Sequence, residues 1–583
     1  MGGTRIGWAA HELNGRYANW MGGPLDLRRP GKGQGPCLRY RAPGAGGQRR
    51  WAWGLHLWPF LRVPQISRRQ VGMEPPMPDR SGTPRHPSYW KETSEPGNYA
   101  PLSGRTSADV IIVGGGIVGL TTGLLLQASG LRVTLLEANR VGEGTTGYSS
   151  AKLTSLHRLS YASIEDTHGA EVARIYAEAN QWALGLVAEL VDELGIECQF
   201  QRRPALTFTR DAARTGEIDG EVEAARRAGL PAVRVSESDL PFPIAAGVLL
   251  GEQASFHPLR YCLGLAKALH REGCTVHEGS HVQEVEGDDD RVLVRTSGGA
   301  ECEAPHLVLA CGIPFLDRGG FFARVHPSRS YCVAMSGAES QPESMSINIG
   351  DPTLSIRPVP GANGAPLLLV TGADHKTGQA ENHKDAWELL EAFARREFGA
   401  EKVVARWSSQ DYMSVDGLPL VGRMRPSSQS IHVATGFSKW GLTLGTAAAR
   451  VLADGLTGAE NPWAETFDAG RSQLAGGLGE ALHEGLNAAK RFVGDRIRQL
   501  DGLDVEELAP GSGAICRKDG DPVAAYRDSA GRLHLLSPTC THMGCRVVWN
   551  GAEQSWDCPC HGSRFSTSGE ILNGPALTPL RPL

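Results

Sequence analysis

Ala108–Gly119 reads ADVIIVGGGIVG, and the unit it opens closes on Glu137, eighteen residues after Gly119. Ala108–Val113 is short, apolar and β-branched, the pattern of a strand buried on both faces. Gly114-Gly115-Gly116-Ile117-Val118-Gly119 follows without a break as G-x-G-x-x-G. Leu120–Ser129 continues as a helix that Gly130 ends, and Leu131–Leu136 is a second apolar strand. In that frame Gly114 permits the tight turn, Gly116 lets backbone N–H groups approach a pyrophosphate, and Gly119 lets helix and strand pack closely. The helix N-terminus favours an anion, and Glu137 can accept both hydroxyls of a ribose. A lone glycine motif is weak; strand, helix, second strand and terminal acid in register predict a dinucleotide-binding β-α-β unit.

The rest of the chain bounds what that unit serves. Its 583 residues suffice for three or four domains at roughly 100–200 residues each. A formal net charge of −5, with acids and bases nearly balanced, gives no electrostatic case for a nucleic-acid partner. No run of about 18 apolar residues is present, so no transmembrane segment is expected. Met1–Gly72 differs from everything after it: 12 Lys and Arg, two acids, 14 Gly and five Trp, with no sustained period. It also lacks the order of regions a signal peptide needs. Residues 1–87 are therefore expected to be a disordered extension, or translated sequence upstream of a true start at Met73 or Met77. A basic targeting or partner-binding tail is the alternative. A cytoplasmic location is the corresponding expectation.

Five of the 12 Cys lie between Cys516 and Cys560, so cysteine use is clustered rather than spread as a disulfide framework. Cys540-Thr541-His542 and Cys558-Pro559-Cys560-His561 stand fifteen residues apart. Each segment offers one thiolate and one imidazole. Two sulfurs for one iron and two nitrogens for its partner need that arrangement; a mononuclear Cys₂His₂ zinc site needs the same ligand types. The other seven Cys have no ligand spacing and read as buried apolar residues.

Two resemblances sharpen these readings. After Glu137, the Gly/Ser/Thr-rich loop Ala138–Thr154 resembles that of FAD-dependent oxidoreductases of the D-amino-acid oxidase and glycine oxidase type. Val276–Glu286 with His306–Gly312 resembles that family's returning strands. Asp416–Gly422, Ile431–Gly436 and Phe437–Leu456 resemble its closing strand and final helix. The resemblance implies FAD as cofactor. The residues it implies are Gly114, Gly116, Ile117, Gly119 and Glu137, then Arg140, Thr145 and Thr146 in the loop. Val282 and Gly312 follow on the returning strands, and Gly436, Gly441, Leu442 and Thr443 at the last helix. Lys439 is a candidate flavin-side cation or, equally, a solvated lysine. The middle, about Tyr161–Phe256, is helix-rich and then mixed, and should face the substrate.

The text around the second cysteine–histidine set (CTHMGC, CPCHGS), with Gly574-Pro575-Ala576, resembles the Rieske [2Fe–2S] domain. That implies Cys540, His542, Cys558 and His561 as ligands and decides against zinc. In Rieske subunits of cytochrome bc complexes the cysteines matching Cys545 and Cys560 form a disulfide, which is implied here; a free-thiol pair is the alternative, since cytosol disfavours disulfides. A serine and a tyrosine donate to that cluster's sulfurs; this chain keeps Ser563 but has Phe565 at the tyrosine position.

The expected architecture is an α/β Rossmann-type FAD-binding domain interleaved with an α+β substrate domain over 88–460, a helical linker over 461–504, and a small all-β Rieske domain over 505–583. The expected function is oxidation of a C–N bond of a small-molecule amine or amino acid, with electrons passing from FAD to the cluster and on to an unidentified external acceptor. A non-catalytic redox carrier or sensor is the rival.

Overall fold

The computed structural model describes residues 86–271, 273–287, 290–316, 318–361, 364–379, 384–471 and 503–583. The expectations for the N-terminal extension and for most of the helical linker fall outside these residues.

The β-α-β unit forms as read. Val110–Val113 is a fully buried strand, paired in parallel with Val133–Leu136 on one side and His306–Leu309 on the other. Thr275–His277 and Ile431–Thr435 extend this parallel core, and Leu420–Arg423 adds an antiparallel edge, making six strands. The helix starts inside the glycine motif, at Ile117, and runs to Ala128. It is buried on almost every side, packed on the sheet and against helices Pro258–Leu269 and Leu444–Thr457. Gly119 is required there: a Cβ would stand 2.0 Å from the Gly114 carbonyl oxygen.

The returning segment Val276–Glu286 divides between two sheets. At Gly279 the chain takes a left-handed φ of +59°, and Val282–Glu286 joins Arg105–Ser107, Val292–Thr296 and Glu301–Ala304 in a separate four-stranded sheet.

A nine-stranded sheet forms the other half of the flavoprotein region. From one edge it runs Lys402–Ser414, Val325–Ser336, Pro366–Lys376, Leu354–Pro360, Met345–Asn348, Gln201–Thr209, Ala246–Ser255 and Lys152–Leu153, with Val233–Val235 paired to Ala246–Ser255. Helices Ser160–His168, Ala170–Leu194 and Thr215–Arg227 pack together beside it, and Trp387, Leu390 and Phe393 of helix Lys384–Phe398 join its apolar core.

The C-terminal domain is all β. Ser512–Lys518, Asp521–Arg527 and Leu533–Leu536 form one antiparallel sheet. Val548–Asn550, Ser555–Asp557, Arg564–Phe565 and Ile571–Asn573 form another. Trp549 joins the two, stacked on Tyr526 at 5.2 Å between ring centroids and tilted on Trp556 at 5.0 Å.

This domain is docked on the edge of the nine-stranded sheet by buried charge. Arg329, 1% exposed on strand Val325–Ser336, pairs with Glu553 of the C-terminal domain, and Ser408 donates to the same carboxylate. Glu553 is also paired with Arg564, whose Nε donates to Asp557 at 3.0 Å. Two guanidiniums thus face two carboxylates with no water-exposed alternative. Burial alone would raise the Glu553 carboxyl, but Arg329 and Arg564 hold it below its ordinary value. A depressed folded pKa contributes stability above the unfolded carboxylate value of about 4.3, and that contribution is lost as pH falls through the folded value. Removing one partner of a buried pair costs about 3–5 kcal/mol. Glu553→Gln should therefore lower the melting temperature at pH 7 and flatten the loss of stability between neutral pH and pH 3, both read by calorimetry.

Candidate functional site

The glycine turn, the loop after Glu137 and the last helix converge on one cavity of about 810 Å³. Gly114, Gly116, Ile117, Glu137, Thr145, Thr146, Val282, Gly312, Lys439, Gly441 and Leu442 line it. Four other expected residues stand behind the lining. Gly119 packs helix on strand; Gly436, at φ +75°, packs on Ser414 and Val325; Thr443 donates to the Thr154 carbonyl at 3.2 Å. Arg140 donates to the Gly97 carbonyl at 2.7 Å and is half-exposed, so its guanidinium braces the N-terminal segment rather than the cavity.

The lining fits a dinucleotide. A Cβ on Gly116 would meet only Thr146 Oγ1, at 3.2 Å, so the glycine leaves open space on the cavity side. Gly115 N–H donates to Glu137 Oε2 at 2.7 Å and Asn139 N–H to Oε1 at 2.9 Å, which fixes the carboxylate at the cavity edge. Burial pushes this carboxyl up, against the pull of those two N–H groups. Lys439, at φ +73°, is neither purely solvated nor unpaired: its ammonium lies 3.0 Å from Asp374 within the cavity wall.

Several lining residues carried no sequence signal. Lys152 is buried, with Nζ donating to the Ser346 carbonyl at 2.7 Å. Burial, then the charge of Arg357, pushes its ammonium well below the ordinary lysine range. Arg158 lines the same space, and its Nε is buried with no hydrogen-bond partner. Among the described residues neither cation forms an ion pair. Asp411 also lines the cavity, and burial raises its carboxyl to about 6. Cys311 departs from the expectation of a buried apolar thiol: it is exposed and lines the cavity, whereas Cys198, Cys262, Cys274, Cys302 and Cys332 are buried as expected.

The second site lies in two matching loops of the C-terminal domain. In each, a glycine four residues after the cysteine turns with positive φ and donates back to it: Gly544 to Cys540 at 3.0 Å and Gly562 to Cys558 at 3.1 Å. The loops are tied by a Cys545–Cys560 disulfide, as the resemblance implied. That leaves Cys540 and Cys558 as adjacent thiols. Hydrogen bonding from Cys558, with help from the His542 and Met543 N–H groups and the Ser563 hydroxyl, holds the Cys540 thiol below its ordinary value despite burial. The His542 and His561 rings meet edge to face at 5.1 Å. Two sulfurs and two imidazoles side by side fit a diiron cluster with one iron on each pair. His561 is 5% exposed and packs against Phe322 of the flavoprotein region, whereas His542 is partly exposed beside the exposed Met543. Phe565 is fully buried at the position where the resemblance places a tyrosine.

The two sites share a wall. Ile571–Leu577, including Gly574-Pro575-Ala576, lines the same cavity as the glycine turn.

Fold and sites together define a flavin-dependent oxidoreductase fused to an iron–sulfur electron carrier. Residues 109–455 match the FAD dependent oxidoreductase family and residues 501–583 the Rieske [2Fe-2S] domain, so the chain belongs to the former and carries the latter at its C-terminus. It is an enzyme that binds FAD and a [2Fe–2S] cluster. A Bacillus subtilis (strain 168) protein, YhfW, named for a Rieske 2Fe-2S iron-sulfur protein, is 35% identical over 499 residues, 85% of this chain and 97% of its own. Gamma-glutamylputrescine oxidoreductase of Escherichia coli (strain K12) is 26% identical over 38% of this chain and 53% of its own. Glycine oxidase from Geobacillus kaustophilus shares the fold, with a TM-score of 0.53 at 21% identity over 63% of this chain and 99% of its own. No helix among the described residues is long and apolar enough to cross a membrane.

Two substitutions check the assignments. Glu137→Ala should weaken FAD binding about tenfold or more, from loss of a charge-assisted bond of about 1.5–3 kcal/mol, measured by flavin fluorescence titration. Donors to cluster sulfurs raise the reduction potential, so Ser563→Ala should lower it and Phe565→Tyr raise it in protein-film voltammetry.

Proposed function

We propose that this enzyme oxidises a C–N bond of an amino acid or related carboxylate-bearing amine and passes the electrons through its own Rieske domain to an external acceptor. When bound, FAD supplies two-electron acceptance from the C–N bond and the cluster supplies one-electron relay. The observation that carries the reading is the shared wall: Ile571–Leu577 of the cluster domain stands in the flavin cavity itself.

The residues divide the remaining work. Gly114 and Gly116 admit the pyrophosphate, and Glu137 takes the ribose. On the substrate side, Lys152 and Arg158 offer positive charge to an incoming carboxylate. An anion beside Lys152 would restore the ammonium that burial disfavours. Asp411, ionised above about pH 6, offers the opposite charge to a substrate ammonium. The docked C-terminal domain closes one side of the cavity and excludes water from it. The pairing of a family relative that acts on gamma-glutamylputrescine with the glycine oxidase fold supports an amine-bearing substrate. A cytoplasmic location is part of this proposal.

Anaerobic mixing with a panel of amino acids and simple amines tests it. Carboxylate-bearing amines should bleach the flavin, with cluster absorbance falling afterwards. The half-saturating concentration should rise as pH falls through about 6, and Asp411→Asn should abolish that limb. Lys152→Met should raise the half-saturating concentration at least tenfold. A flavin that no member of the panel bleaches would refute the proposal.

A further inference from the structure

Two side chains on strand Lys402–Ser414 stand between the cavity and the cluster loops. Gln410 and Tyr412 are 5% and 6% exposed, and both line the cavity. The Gln410 amide is committed on both sides. Its Oε1 accepts from the Thr377 hydroxyl at 3.0 Å, which orients Nε2 to donate to the Gly562 carbonyl at 2.8 Å and toward Tyr412 Oη at 3.3 Å. Its backbone carbonyl accepts from Thr145 Oγ1 at 2.8 Å, in the loop expected to follow the flavin. Tyr412 Oη donates to the Gly574 carbonyl at 3.4 Å. Gly562 directly follows the ligand His561, and Gly574 opens the proline loop, whose Ala576 N–H donates to Ser563 Oγ at 3.1 Å. The Cys558–Gly562 loop and the Gly574 loop are therefore each held by one side chain of the cavity wall. The approach leaves no slack: a Cβ on Gly562 would stand 2.7 Å from Gln410 Nε2 and 2.6 Å from Pro327 Cβ.

We infer that Gln410, seconded by Tyr412, is the positioning residue for electron transfer between the two cofactors. A single hydrogen bond from its amide joins the flavin cavity wall to the residue after His561. Tunnelling weakens steeply across non-bonded gaps, so this bond serves both as register and as coupling. Each transfer oxidises the flavin by one electron and reduces the cluster by one; over two transfers the reduced flavin also gives up its N5 proton to solvent, and Gln410 itself is not oxidised. The role is separable from docking, because the Arg329–Glu553–Arg564 charges hold the domains together independently. The inference rests on the flavin-to-cluster route proposed above.

The test uses the full-length holoprotein, with flavin photoreduced anaerobically by a deazaflavin sensitiser and cluster bleaching followed in time. Gln410→Leu should slow the flavin-to-cluster phase at least tenfold while FAD content, iron content and both midpoint potentials stay unchanged. Hydrogen exchange at Gly562 and Gly574 should rise in the same variant. Should Gln410→Leu fail to retain its cluster, Thr377→Val, which removes only the hydroxyl that orients the amide, decides, with at least a threefold slowing expected. An unchanged transfer rate in the cofactor-replete variant overturns the inference. Wild-type protein with no flavin-to-cluster phase overturns the route itself, and unaltered exchange at Gly562 would then overturn the positioning role separately.

Discussion

The arrangement depends on four charges withdrawn from water at the seam between domains. Arg329 comes from the flavoprotein sheet; Glu553, Arg564 and Asp557 come from the cluster domain. Any of them alone would be costly to bury, and together their charges balance, although Arg329 pairs through one nitrogen and leaves Nε and Nη1 without a partner. Hydrophobic contact could join the domains in many registers, whereas these charges pair in one. That register brings Gly378 against Pro559 and Gly562 against Pro327, approaches that a side chain at either glycine would block.

With the register set, the remaining chemistry follows from position. Gly574-Pro575-Ala576 can meet Ser563, through the Ala576 N–H, and also wall the cavity of the glycine turn because the Ile571–Leu577 span is held at the seam. One imidazole of the pair, His561, is buried and meets Phe322 edge to face, while His542 keeps an outer edge. The histidine pair is thus two-sided, with His561 facing the seam and His542 facing outward.

Much of each site was legible in the sequence because its signals are local. Gly114, Gly116 and Gly119 are demanded by backbone geometry within one turn, and Cys540-x-His542 with Cys558-x-x-His561 by ligand spacing within two short loops. What joins the sites was not legible. Arg329 and Glu553 are 224 residues apart, and Gln410 and Gly562 are 152 apart. Nothing in a single arginine or glutamine announces such a partner. The strand next to the edge of the nine-stranded sheet was silent for a related reason: Val325–Ser336 carries Pro327, Ser328, Arg329 and Ser330, which suit an interface but break the apolar alternation that betrays a strand. Lys152 sits in the Ser/Thr-rich run Ala138–Thr154, whose residue types do not tell that the strand pairing of Lys152–Leu153 with Ala254–Ser255 will carry its side chain inside.

The charge lattice also bears on modularity. Rieske domains look portable, compact all-β units that could be appended to any redox partner. Here the appended unit carries two interior carboxylates, Glu553 and Asp557, against one guanidinium of its own, Arg564, and the balancing cation belongs to the host sheet. Cut free, it would lose the arginine that faces Glu553 across the seam and keep two carboxylates against one guanidinium. The two halves of this chain have therefore ceased to be interchangeable parts: each completes the other's electrostatics, and a graft onto a different flavoprotein would have to bring its own arginine.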